Sequence, residues 1–232
     1  MAVTAFTAAA AAFQMPPSRD VPPIYVGGAC EEGVVLAINA TARTLDVVAP
    51  ALDNNLLAEA LAGAQSRGVR VRVLVDQRYQ YQLTTMGPRA AARGADVRIY
   101  DGGRRLGGTF AVFDGEAVAV GSYDWTLLGR GSTDYLIFVN DPAAVAVFRD
   151  QFDYAWNAAP PLAPPDGEGG YVASRWTPWF HKDACPFAAG IPADVNLAFA
   201  TFENALKTKW PCEYCLPGGP PLGSMEGKET GK

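Results

Sequence analysis

A chain of 232 residues with 49 % hydrophobic and 19 % charged residues can bury the core of one α/β domain and still carry an extension. No run approaches the roughly 18 apolar residues that a membrane-spanning helix needs. A net charge of −5 repels a phosphate backbone, so nucleic acid is disfavoured as a partner unless a local basic patch exists. The candidates for such a patch are Arg67, Arg70 and Arg72, and separately Arg104 and Arg105. Arg70 and Arg72 alternate along one segment, which reads as a solvated strand face.

The elements follow in chain order. Residues 1–20 are rich in Ala and Thr and almost free of acids. They read either as an organellar transit segment, plastid or mitochondrial, or as a disordered N-terminus. A prolyl boundary at Pro16–Pro23 leads into a strand at Ile24–Gly27. Apolar Val34, Val35, Ile38 and Ala42 have helical spacing, with Glu31 and Glu32 at the positive end. A strand over Thr44–Pro50 precedes a helix over Asp53–Gly68, which has capping-type Asp53 and Asn54 at its start and Gly68 as its stop. Val69–Asp76 is a strand, Pro88–Gly94 a short helix, and Ala95–Asp101 a strand. After a glycine-rich loop at Gly102–Gly108, Thr109–Gly121 forms a hairpin turning at Asp114-Gly115. Asp134–Asp141 is a strand, and Pro142–Trp156 a helix with Pro in its first turn.

This order predicts one layered α/β domain over residues 21–159. A Pro/Gly-rich linker follows over 160–170, then an extension over 171–216 rich in Trp, Pro and Cys. Val195, Leu197, Phe199, Phe202 and Leu206 predict a helix over Pro192–Trp210. Residues 217–232 read as a disordered tail.

The segments "EEGVVLAINATARTLDVVAP", "LLAEALAGAQSRGVRVRVLVD", "ARGADVRIYDGG", "FAVFDGEAVAVGSYDWT" and "STDYLIFVNDPAAVAVFRDQFDYAW" together resemble the phospholipase D superfamily in order and spacing. They are most similar to its compact single-motif members, the bacterial endonuclease-type proteins and the mitochondrial cardiolipin hydrolases. The resemblance implies a layered sheet flanked by helices. It also implies a motif in which His attacks phosphorus, Lys and Asn hold the phosphoryl oxygens, and an Asp and a Gly-Ser complete the pattern. A dimer partner usually supplies the second motif. Asp114, Gly121 and Ser122 match the Asp and the Gly-Ser. Gly107 stands at the His position, Thr109 at the Lys position and Asp124 at the Asn position.

These departures remove the implied chemistry. Glycine is no nucleophile, threonine brings no positive charge, and Asp124 sets a negative charge where phosphate would bind. The one histidine, His181, lies in the extension, where "HKD" at His181–Asp183 lacks the spacing of the motif. The expectation is an inactive domain with protein partners, as part of an assembly or a homodimer. The alternatives are binding of a phosphorylated ligand or nucleic acid through Ser122, Arg104 and Arg105, and an altered enzyme using Asp114 or Asp124 as base.

His181, Cys185, Cys212 and Cys215 form two close pairs of N/S donors, the second a CxxC. They fit a structural zinc site; a disulfide or unrelated surface cysteines are the alternatives. Cys30, near a helix start, reads as a packed small residue. The aromatics of Tyr171–Phe180 and Trp210 either dock a partner or fold back onto their own domain. No other cofactor is expected.

Overall fold

The computed structural model describes residues 23–220, apart from 83, 164 and 166–168. The expectations for 1–20 and for 221–232 of the tail lie outside the described residues.

A seven-stranded sheet is built from β1 (Ile24–Val26), β2 (Thr44–Val48), β3 (Arg70–Asp76), β4 (Asp96–Tyr100), β5 (Thr109–Phe113), β6 (Ala117–Gly121) and β7 (Tyr135–Val139), in the order β1-β7-β6-β5-β2-β3-β4. Helix α1 (Ala29–Ala40) leads from β1 to β2, and the β2, β3 and β4 strands run parallel because α2 (Asn55–Ser66) and α3 (Gly87–Ala92) return the chain. The strands on the β5 side pair antiparallel. Asn54 caps α2 by accepting from the Leu56 and Leu57 N–H groups, and Gly68 at φ +91° turns the chain out of it.

The strands alternate their apolar residues between two layers. Leu45, Val47, Val71, Val73 and Val75 face Val34, Ile38, Leu57 and Leu61 of α1 and α2. Val48, Leu74, Val112 and Val118 face Val145, Phe152 and Trp156 of α4 (Pro142–Ala158). The result is helix, sheet, helix in three layers.

The fourth helix corrects the reading of the arginines. Arg70 is exposed, but α4 lies across Arg72. The Arg72 guanidinium is 2.7 Å from Asp46, 3.1 Å from Asp153 and 4.6 Å from the centre of the Phe152 ring. At the outer margin of β4, Arg98 and Pro161 form an isolated bridge, and Arg98 donates to the Trp156 and Ala159 carbonyls at the end of α4.

The extension forms a second sheet of β8 (Tyr171–Ser174), β9 (Trp179–Lys182), β10 (Asn196–Phe199) and β11 (Trp210–Pro211), in the order β10-β8-β9-β11. The helix expected over Pro192–Trp210 is instead β10 followed by a short α5 (Phe202–Leu206). Val195, Leu197 and Phe199 recur every second residue, and Leu197 and Phe199 pack on Phe180 in a strand arrangement. Thr201 then caps a new helix by accepting from the Asn204 N–H.

Trp179, Phe180 and Trp210 are buried, so most of the aromatic cluster folds back on the chain. Trp176 remains 55 % exposed and stacks on Tyr81.

Candidate functional site

A cleft of about 590 Å³ opens where β2, β5 and β6 end. Thr109 and Gly121 are register partners on its floor. A Cβ at Gly121 would collide with the Tyr135 carbonyl, so only glycine permits β7 this close approach. Ser122 and Asp124 also line the cleft, and Gly107 sits in open space between the lining residues Leu106 and Gly108.

Ser122, Asp124 and Asp53 are each bound by their own chain. The Ser122 hydroxyl donates to Asp134 Oδ1 at 2.6 Å and accepts from the Tyr135 N–H at 3.1 Å. Asp124 Oδ1 accepts from the Thr126 hydroxyl at 2.6 Å and from its N–H at 3.1 Å. Asp53 accepts from the Leu127 N–H at 2.7 Å. Burial raises the Asp53 pKa, the Leu127 N–H opposes that rise in part, and the nearby Asp124 charge adds to it. Among the described residues, Arg105, over the Tyr79 ring, is the only basic residue lining the cleft, against the carboxylates of Asp53, Asp124 and Asp134. The cleft therefore offers hydroxyls and negative charge, with neither a histidine nucleophile nor a lysine to hold phosphoryl oxygens among the described residues.

Asp114 is elsewhere. It lies at the opposite end of β5 from Thr109, at φ +53° followed by Gly115 at φ +69°. Its carboxylate accepts from the N–H groups of Ala42, Arg43 and Thr44 at 2.7–3.0 Å. It fixes the α1–β2 connection to the hairpin and cannot serve as a base in the cleft.

The second constellation belongs to the extension. The β9 and β11 strands run parallel, with Trp179 opposite Trp210 and Phe180 opposite Pro211, which brings His181 beside Cys212. The Cys212 N–H donates to the Phe180 carbonyl at 2.9 Å. Tight turns then return Cys185 and Cys215 to the same point. One ligand atom from each of His181, Cys185, Cys212 and Cys215 lies within 4.8 Å of the others, and all four residues are buried.

The Cys215 thiol is strongly acidified by hydrogen bonds from Cys185 and Cys212, which outweigh its burial, and His181 adds to this. Cys185 is pushed up to about 12: its bond with Cys212 lowers it, but the bond to Cys215 and burial prevail. Burial raises Cys212. The Lys182 N–H points to Cys215 Sγ at 3.4 Å. His181 Nδ1 is buried without a hydrogen-bond partner among the described residues. All four cysteines are free thiols, and Cys30 is buried against the Tyr25 and Asp134 carbonyls, as a packed residue.

The family model described as "Cardiolipin synthase, PLD-like domain" matches residues 34–156, more than half of the 232 residues. The chain belongs to the PLD-like family. Among curated relatives, the PLD-like region is 31 % identical over 109 residues to the mitochondrial cardiolipin hydrolase of Xenopus tropicalis, covering 46 % of this chain and 51 % of that one. It is 25 % identical over 121 residues to the mitochondrial cardiolipin hydrolase of Chlamydomonas reinhardtii, covering 52 % and 54 %. The chain thus spans about half the length of these relatives.

Among solved structures, the phospholipase D family member Nuc from Salmonella typhimurium aligns with a TM-score of 0.54 at 21 % identity, covering 60 % of this chain and 97 % of that one. NucT from Helicobacter pylori aligns with a TM-score of 0.53 at 11 % identity, covering 60 % and 98 %. These two likenesses concern the fold alone. The His181–Cys215 constellation lies beyond the PLD-like match.

Two residues of the cleft had no signal in the sequence. Asp53 reads there as a capping residue beside Asn54, and Asp134 as the start of a strand. Only the sheet order brings β7 next to β6 and so sets Asp134 against Ser122.

Proposed function

We propose that this chain is a PLD-like protein without phosphodiester hydrolase activity, acting as a structural or protein-interaction subunit of a larger organellar assembly. The observation that carries this reading is the cleft itself. Its frame is kept, but Gly107, Thr109 and Asp124 stand where the resemblance expects the nucleophile and the phosphoryl-holding groups. Three carboxylates there face one guanidinium. A homodimer would not restore the missing nucleophile, because both copies lack it. The organellar part draws on the word "mitochondrial" in the names of the relatives. Among the described residues no helix is long and apolar enough to cross a membrane.

The donor set His181, Cys185, Cys212 and Cys215 is read as a structural zinc centre. Three thiols and an imidazole suit a soft tetrahedral site, and tetrahedral Zn–S bonds near 2.3 Å would space sulfurs by about 3.8 Å. A metal ion bound at His181 Nδ1 would also give that stranded nitrogen a partner.

The test is a phosphodiesterase assay on the purified chain with bis(p-nitrophenyl) phosphate, cardiolipin vesicles and single-stranded DNA. No turnover is expected on any of them. Turnover that disappears in Ser122→Ala or Thr109→Val would overturn the reading. Arg105 on the cleft wall leaves one other use, the binding of a phosphorylated ligand. Salt-sensitive phosphate binding lost in Arg105→Ala would favour it.

A further inference from the structure

We propose that the metal centre is a clamp: a zinc ion held by His181, Cys185, Cys212 and Cys215 seats the C-terminal sheet on α3 of the PLD-like domain. Metal occupancy then sets whether the extension is docked. This rests on the zinc reading above and goes beyond it.

Several of the residues that touch the domain lie between the donors, in addition to Ser174 and Trp176, which meet Tyr81 ahead of them. Glu213, inside the CxxC, accepts from Arg89 Nε at 2.9 Å and Nη2 at 2.7 Å. Tyr214, also inside it, packs edge-on against Phe187, with ring centres 5.3 Å apart. Phe187 follows Cys185 by two residues and is buried over Gly87, where an added Cβ would stand 3.1 Å from its ring. Gln77 donates to the Ala189 carbonyl. The receiving side is firm, since Arg89 also reaches Asn55 and Glu59 of α2.

The presenting side packs Phe187 and Ala188 into the domain core but has little regular structure of its own. Residues 183–195 contain only turns, and β11, which sets the CxxC, is two residues long. Ordering two such loops costs backbone entropy, which short turns recover poorly. A four-coordinate cross-link between them supplies the missing constraint. Without it, three thiols and an imidazole are left buried against one another.

The experiment uses the full chain. Bound metal is measured by elemental analysis, and amide hydrogen exchange is followed before and after removal of the metal by a strong chelator and after its return. One zinc per chain is expected. Chelation should accelerate exchange at least about tenfold in residues 179–216 and in α3, leave β2, β3 and β5 protected, and be reversed by zinc. Glu213→Gln, which keeps all four donors, should bind zinc fully and still exchange faster in α3.

A chain with far less than one metal ion overturns the zinc reading, and the clamp with it. Stoichiometric zinc whose removal leaves exchange in 179–216 unchanged overturns the clamp alone. So does a loss of protection that spreads equally through β2, β3 and β5.

Discussion

The cleft and the His/Cys centre are both collections of polar side chains, but they are satisfied differently. In the cleft, Ser122 is bound to Asp134, Asp124 to Thr126, and Asp53 to the Leu127 N–H. These three side chains are already satisfied within the chain. In the centre, the thiols have chiefly one another, and His181 Nδ1 has no partner among the described residues. A side chain tied to its own backbone serves the fold. A buried donor that the chain leaves unpaired points to a group from outside. The family frame and the candidate ligand site have therefore come apart in this molecule, one in the PLD-like region and one beyond it.

The contrast can be broken most sharply at Cys212. On the zinc reading proposed above, Cys212→Ser removes a donor from a buried centre and should cost on the order of 3 kcal/mol or more, together with the metal it would hold. Thermal unfolding and elemental analysis measure both, and a variant as stable and as metal-loaded as the parent would refute the centre.

Gly121→Ala comes next. The Tyr135 carbonyl has no room for a methyl group, so β6 and β7 must part, at about 2–3 kcal/mol in denaturant unfolding. Asp114→Ala should cost about 1 kcal/mol by removing the acceptor shared by the N–H groups of Ala42, Arg43 and Thr44. It should leave any ligand affinity of the cleft unchanged in a titration, because the residue is at the far end of β5.

The smallest effect is expected at Asp53, and its sign depends on pH. The folded state raises this carboxyl above its ordinary value of 3.8, chiefly by burial. Its favourable contribution, in the protonated form, is complete below that value and is lost as pH rises through the raised one. Asp53→Asn keeps an acceptor for the Leu127 N–H and carries no charge. It should unfold roughly 1–3 °C higher than the parent at neutral pH and show no advantage in acid. Lower stability at neutral pH would mean that the carboxylate is favourably placed, and the electrostatic account of the cleft would fail.

The PLD-like region was legible because its signals are local. Val71, Val73 and Val75 alternate, Asn54 and Gly68 bracket a helix, and Asp114-Gly115 demands a hairpin turn. The four candidate donors were legible as two close pairs. That they meet depends on the parallel register of Trp179 with Trp210, which no spacing encodes. The segment Pro192–Trp210 misled because Val195, Leu197, Phe199, Phe202 and Leu206 satisfy helical and strand periods in turn. Tertiary packing on Phe180 decided between them. Arg72 misled because alternation names a face without saying what covers it; α4 covers it here, and Asp46 and Asp153 neutralise it.

The bridge between Arg98 and Pro161 bears on how this protein avoids sticking to itself. A margin strand offers a row of free amides and carbonyls to any extended peptide that drifts by. At β4 the chain lays its own proline against that row just after α4, and proline has no N–H with which to pass the ladder onward. Growth of the large sheet by strand addition is blocked at that point by the protein's own connecting segment.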